Sequence, residues 1–157
     1  MSAAPSQNQI NHLIELFEAR RFEQAEALAM LLTQRFPKHP FAWKVLGAVL
    51  QQMGRLEESL APMQSASKLS PQDAEAHSNL GVALKQLGRL DESEASYRQA
   101  IAVKPNHAGA HSNLGGMLRE VGRLDEAEAS CRQAIAIKPE FAEAHSNLGN
   151  TLKELGR

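Results

Sequence analysis

The sequence is short of the side chains that most catalytic and nucleic-acid-binding proteins rely on. It has one cysteine, Cys131, so no disulfide can form within the chain, and this usage fits a reducing, cytoplasmic setting. With one Trp, one Tyr and five Phe, it has too few rings for a base-stacking surface. Its 17 basic residues nearly balance 18 acidic ones, which removes any general attraction to nucleic acid or to an anionic membrane. No run approaches the roughly 20 apolar residues of a spanning helix. Residues 1–9 are polar and lack the apolar stretch of a secretory signal, and residues 1–5 are expected to be disordered. There is no phosphate loop, paired-carboxylate pocket or Cys/His metal pattern. No catalysis, cofactor or metal is therefore expected of this chain.

What the chain has in abundance is itself. Residues 74–107 read AEAHSNLGVALKQLGRLDESEASYRQAIAVKPNH, and 34 positions later 108–141 read AGAHSNLGGMLREVGRLDEAEASCRQAIAIKPEF. A further shift gives AEAHSNLGNTLKELGR, ending at Arg157. One shift back, 40–73 keeps Leu46, Gly47, Leu50, Gly54, Leu56, Ala66 and Pro71 in place. So regular a period signals an array of one small unit.

Each unit reads as two helices. Ala76, Leu80, Ala83, Leu84 and Leu87 recur at steps of three and four, which is helical spacing. Gly88 suits the left-handed position just past a helix end. Asp91 and Glu92 then place negative charge at the N-terminal end of a second helix. Pro105 closes that helix, because proline has no N–H to continue the ladder. Small residues lie where the helices of a pair approach: Gly81, Ser93 and Ala100, then Gly115, Ala127 and Ala134. The single cysteine takes the place of Tyr97 and Met63, which makes it a core filler. Nine helices are predicted, over 7–19, 22–35, 40–53, 56–69, 74–87, 90–103, 108–121, 124–137 and 142–155, with no sheet. One pair cannot bury both its apolar faces alone and needs neighbours.

The recurring Leu80, Gly81, Leu84, Gly88, Leu90, Ala100 and Pro105, at a period of 34, resemble the tetratricopeptide repeat over nearly the whole chain. The resemblance implies an all-α, right-handed superhelical solenoid of antiparallel helix pairs, with the first helix of each pair lining a concave face. The expected domain is 6–157, with repeats at 6–39, 40–73, 74–107 and 108–141 and a half repeat at 142–157.

Departures from the pattern carry their own expectations. In the first repeat Leu13 and Arg20 replace the two glycines, as suits an N-terminal cap or a pair of unusual angle. Pro62 falls inside a predicted helix, so that helix either starts late or bends. In the last copy Leu148, Leu152 and Leu155 have no second helix to pack on. This is expected of a chain cut from a longer array, with those leucines partly exposed or covered by another copy.

Candidate functional residues follow from the repeat. His77, His111 and His145 recur in His-Ser-Asn triplets, and Trp43 stands in the same place in the second repeat. Adjacent helical residues diverge by about 100°, so His and Ser within a triplet cannot form a nucleophile–base pair. Repeats about 10 Å apart keep the histidines from sharing one zinc ion. They are expected to pack between helices.

Asn79, Asn113 and Asn147 fall in register, with Asn11 at the same place in the first repeat and Val45 interrupting. An amide both donates to and accepts from a peptide backbone, so such a row could hold an extended chain, or simply cap local backbone or meet water. One repeat of about 10 Å matches about three extended residues at roughly 3.3 Å each. Lys85, Arg119 and Lys153 form a second row, offset by Glu75, Glu120, Glu143 and Glu154. Lys44 and Asn150 complete the candidate peptide-binding set. The Asn row resembles the asparagine ladder in the repeat domain of O-linked N-acetylglucosamine transferase. A carboxylate clamp for chaperone tails matches only at Lys44 and Asn79, with Ala48, Gly109 and Asn113 at its other positions.

Three functions are compatible with these residues: a scaffold for extended peptides, a non-catalytic targeting arm of a larger enzyme such as a glycosyltransferase, and a module that self-assembles through its C-terminal helix. The expected partner is a protein or peptide, not a nucleic acid or a membrane.

Overall fold

The computed structural model describes residues 4–157, so part of the 1–5 segment lies outside the described residues, while Pro5 is buried. The described residues form nine helices and no strand: α1 (Gln7–Glu18), α2 (Phe22–Arg35), α3 (Pro40–Gln52), α4 (Leu56–Leu69), α5 (Ala74–Gln86), α6 (Leu90–Val103), α7 (Ala108–Glu120), α8 (Leu124–Ile137) and α9 (Ala142–Glu154). The fold is an all-α helical-repeat solenoid, and each helix starts where the pattern places it. None of the described helices is long and apolar enough to cross a membrane. Two compact units divide the chain after Gln72.

In the first unit α3 and α4 form a hairpin, α2 packs on α3 and α1 on α2. Its core gathers Leu13, Leu16, Leu32, Leu46, Val49 and Leu50, with small Ala25, Ala29 and Ala42 between them. Ser6 begins α1 with a capping box: its Oγ accepts from Gln9 N–H, and its own N–H donates to Gln9 Oε1 at 2.9 Å. An open cleft of about 410 Å³ separates parts of α1 and α2, lined by His12, Leu16, Arg21, Leu28 and Leu31 among others. Of the two readings of Pro62, the late start is excluded: α4 begins at Leu56 and runs to Leu69 with Pro62 buried inside it. The ring removes one ladder bond, the one that would reach the carbonyl of Glu58.

In the second unit α5/α6 and α7/α8 are hairpins, and α9 packs on both α7 and α8. Tyr97, Leu114, Met117, Leu118 and Ala127 form one buried cluster, and Ala74, Ala100 and Ala110 another.

Each hairpin closes at a left-handed glycine: Gly54, Gly88 and Gly122 have φ of +75°, +74° and +79°. The residue after each glycine donates its N–H back into the helix, as Arg89 does to Leu84 O at 2.9 Å. In the degraded first repeat Arg20 takes the same turn at φ +57°. Past the turn Asp91 and Glu92, like Asp125 and Glu126, sit in the first turn of their helix.

The close approach within each pair is specific. A β-carbon on Gly47 would lie 2.5 Å from Met63 Cγ, on Gly81 2.6 Å from Tyr97 Cε1, and on Gly115 2.5 Å from Cys131 Sγ. One side chain from the second helix therefore occupies the space that a glycine leaves on the first. At α5/α6 the contact gains a buried hydrogen bond, Ser93 Oγ to Gly81 O at 2.7 Å. Cys131 is the filler of its seat, and burial pushes its thiol up to about 11.

Candidate functional site

The first helices of the second unit stand side by side, α5 against α7 and α7 against α9. Asn79, Asn113 and Asn147 occupy equivalent places on them, and all three are half-buried. Asn147 already has a use inside the protein. Its Nδ2 donates to Ser112 O and to Ser112 Oγ, both at 3.3 Å. It fits closely against α7, since a β-carbon on Gly116 would lie 3.2 Å from that nitrogen. Asn147 therefore ties two repeats together with its amide nitrogen and keeps its carbonyl oxygen for other bonds. Asn150 is exposed on α9. Asn11 and Lys44 belong to the first unit. Asn11 is exposed and its Oδ1 accepts from Gln7 Nε2 at 2.8 Å, while Lys44 is half-buried on α3.

Two members of the basic row are paired. Lys85 Nζ lies 2.7 Å from Glu120 Oε1, and Arg119 Nη1 lies 2.8 Å from Glu154 Oε1. Each cation thus meets the acidic residue that ends the next repeat's first helix. Lys153 is exposed. Arg119 keeps one buried donor, Nε, without an acceptor among the described residues.

The histidines do not simply fill space between helices. His111 Nε2 is 2.9 Å from Pro105 O, and His145 Nε2 is 2.6 Å from Pro139 O. Trp43 Nε1 reaches Pro37 O in the same way at 2.9 Å. A carbonyl only accepts, so each ring must present an N–H, and this is what Trp and His share at the position. Each bond ties the start of a first helix to the loop after the preceding helix. A different histidine, His107, has two bonds: Nδ1 accepts from Ala110 N–H at 3.0 Å as the cap of α7, and Nε2 lies 3.0 Å from Glu75 Oε2 on α5. Among the described residues no three His, Cys, Asp or Glu gather closely enough to hold a metal ion.

Sequence reasoning overlooked the turn arginines as connectors. Arg55 binds both oxygens of Glu26, at 2.7 and 2.9 Å, and also grips Glu58 in its own repeat. Arg123 repeats this with Glu94 at 2.7 Å and Glu126 at 2.7 Å, and Arg157 reaches Glu128 at 2.6 Å. Glu58, Glu92 and Glu126 are held below the usual carboxylate range by hydrogen bonds from Arg55, Arg89 and Arg123. For Glu94, burial acts in the opposite direction, yet bonds from Arg98 and Arg123 still bring it below that range. The sequence signal was present: Glu26, Glu94 and Glu128 share one repeat position, with Leu60 interrupting.

Comparisons with known proteins agree with this architecture. A family model described as tetratricopeptide repeat matches residues 78–140, and a second, described as TPR repeat, matches 47–88. Among solved structures, MamA from Desulfovibrio magneticus RS-1 is similar with a TM-score of 0.85 at 17% identity, covering 96% of this chain and 85% of that one. A thermophilic TPR protein of Thermus thermophilus matches with a TM-score of 0.76 at 24% identity, covering 96% and 83%. The first TPR of Spaghetti, solved with the HSP90 peptide SRMEEVD, matches with a TM-score of 0.72 at 19% identity, covering 75% of this chain and 94% of that one. At these identities the likeness is one of fold. No curated protein matches the chain in sequence.

Proposed function

We propose, for a chain that carries tetratricopeptide repeats, that it is a protein-interaction scaffold whose second unit holds an extended peptide along α5, α7 and α9. The observation that carries this reading is the register of Asn79, Asn113 and Asn147 on three helices that pack side by side. Asn147 offers its carbonyl oxygen to a peptide N–H, and Asn79 and Asn113 offer whole amides. A peptide-bound relative, the Spaghetti repeat with its HSP90 peptide, supports peptide binding as a use of this fold. Two of the three basic-row residues, Lys85 and Arg119, are paired with Glu120 and Glu154, while Lys153 is exposed. Peptides are therefore held chiefly through their backbone, and an acidic side chain gains at Lys153 or by displacing one of those glutamates.

The experiment is a displayed random-peptide library selected on the folded chain, with recovered peptides measured by fluorescence anisotropy. Each backbone bond is worth about 0.5–1.5 kcal/mol net, so the Asn79→Ala, Asn113→Ala, Asn147→Ala triple variant loses a few kcal/mol on peptides of unrelated sequence. Undiminished binding by the folded triple variant removes the Asn row from this account.

A further inference from the structure

Asn113 and Asn147 are equivalent in register and differ in what they touch. Asn147 Nδ2 donates to Ser112 O and Ser112 Oγ on α7. A backbone carbonyl only accepts, so the amide nitrogen is the end turned into α7 and the oxygen is the end left for another bond. Asn113 stands one repeat earlier, with Ser78 of α5 in the place of Ser112. Its amide makes no hydrogen bond among the described residues.

The cause lies one turn on, in the helix each asparagine faces. A helical side chain covers the turn before it, so the residue four places on shields a carbonyl from the side. For Ser112 that residue is Gly116. It is buried, it has no side chain, and a β-carbon on it would lie 3.2 Å from Asn147 Nδ2. For Ser78 it is Val82, whose branched side chain packs against the buried cluster that includes Leu114 and Met117 of α7. The gap that admits the amide of Asn147 is therefore filled where Asn113 would need it.

We propose that Gly116 and Val82 are positioning residues that set the specificity of the groove, an inference that rests on the Asn row being a peptide site. Gly116 seats Asn147, so the rung on α9 accepts only. Val82 holds Asn113 off α5, so the rung on α7 both donates and accepts. The partner is an extended segment that presents a backbone N–H opposite α9. Proline has no N–H and is excluded at that residue. The residue opposite Asn113 lies about three positions away along the same segment.

The test has two arms, both on the 157-residue chain. The first needs no ligand: exchange of the side-chain amide protons is followed by NMR on isotopically labelled protein. Asn147 is expected to exchange more slowly than Asn113 by about fivefold, which corresponds to about 1 kcal/mol. Gly116→Val covers Ser112 O and removes that protection, and Gly116→Ala, a smaller step, lowers it in part. Val82→Gly gives protection to Asn113. Thermal melts establish that each variant is folded. Equal exchange at Asn113 and Asn147 in the wild type overturns the proposal, as does protection of Asn147 that survives in folded Gly116→Val.

The second arm uses a peptide recovered from the library, remade with one backbone N-methyl group at each residue in turn. Methylation opposite α9 weakens wild-type binding at least about tenfold. It weakens binding to Gly116→Val less, because the released amide can turn its N–H outward. Losses that match in the two proteins at every position overturn the proposal. Recovered peptides with Asn147 unprotected keep the Asn row and overturn this inference alone. Failure to recover any peptide, with Asn147 protected, overturns the Asn row and the partner named here together, and leaves Gly116 as a seat between repeats.

Discussion

Arg123 donates from Nη1 to Glu94 Oε2 at 2.7 Å, joining the turn before α8 to the second helix of the preceding repeat, 29 positions away. The same step links Arg55 to Glu26 and Arg157 to Glu128. Exposed ion pairs are individually weak and screened by salt. Arg55 and Arg123 form small networks, because each also holds an acid on its own side, Glu58 or Glu126. Arg123→Ala is expected to lower the melting temperature modestly at low ionic strength, with the difference shrinking at about 1 M salt. Paired thermal melts of wild type and variant at both salt concentrations check this, and a salt-independent difference would mean that the arginine acts through packing.

Acid should act on the same contacts. Glu58, Glu92, Glu126 and Glu128 all have a folded-state pKa below the ordinary 4.5. A depressed carboxylate contributes stability that is fully present above the unfolded value and is lost as pH falls through the folded one. Stability is therefore expected to decline below about pH 4.5, and urea titrations from pH 7 to pH 3 would show it. The Arg123→Ala variant should show a shallower decline, since it has already lost part of that linkage.

Gly81→Leu forces a side chain into Tyr97, whose ring lies 2.6 Å from the β-carbon position. Overpacking of this kind costs about 1–3 kcal/mol. Tyr97 is 1% exposed, so its ring has no open space beside it to move into. Chemical denaturation should show the loss, and an unchanged midpoint would refute the seat.

Arg20 offers a change in the other direction. A left-handed backbone costs a non-glycine residue about 1–2 kcal/mol. The Arg20 guanidinium also lies 5.9 Å from the Phe22 ring centroid, a contact worth roughly 0.5–1 kcal/mol when exposed. Arg20→Gly is thus expected to stabilise the first unit by up to about 1 kcal/mol, read as a higher urea midpoint.

Most of the fold was legible because the repeat writes its own punctuation. Glycine and proline marked the hairpins at Gly54, Gly88 and Gly122, while Arg20 takes that turn in the first repeat, and the predicted helix ends differ from the observed ones by at most one residue, as at Gln52 and Gln86 just short of Gly54 and Gly88. The site was legible in placement but not in partnership. Register put the three asparagines on equivalent positions, yet the hold of Asn147 on Ser112 spans 35 residues, and the triplet pattern drew attention to Ser112 only as the neighbour of His111. Lys85 looked available because its partner, Glu120, belongs to the next copy. Period alone shows that positions are equivalent. It does not show which of them touch, because that depends on the rotation from one repeat to the next.

His107 has one further consequence. Its Nδ1 can accept from Ala110 N–H only when that nitrogen carries no proton, while Nε2 faces Glu75 on the neighbouring first helix. The neutral ring is thereby fixed in a single tautomer by two helices at once. Its nitrogen resonances then serve as an internal strain gauge: any ligand that spreads or tightens the spacing of α5 and α7 changes the hydrogen bonding of one ring nitrogen, with no label attached to the protein.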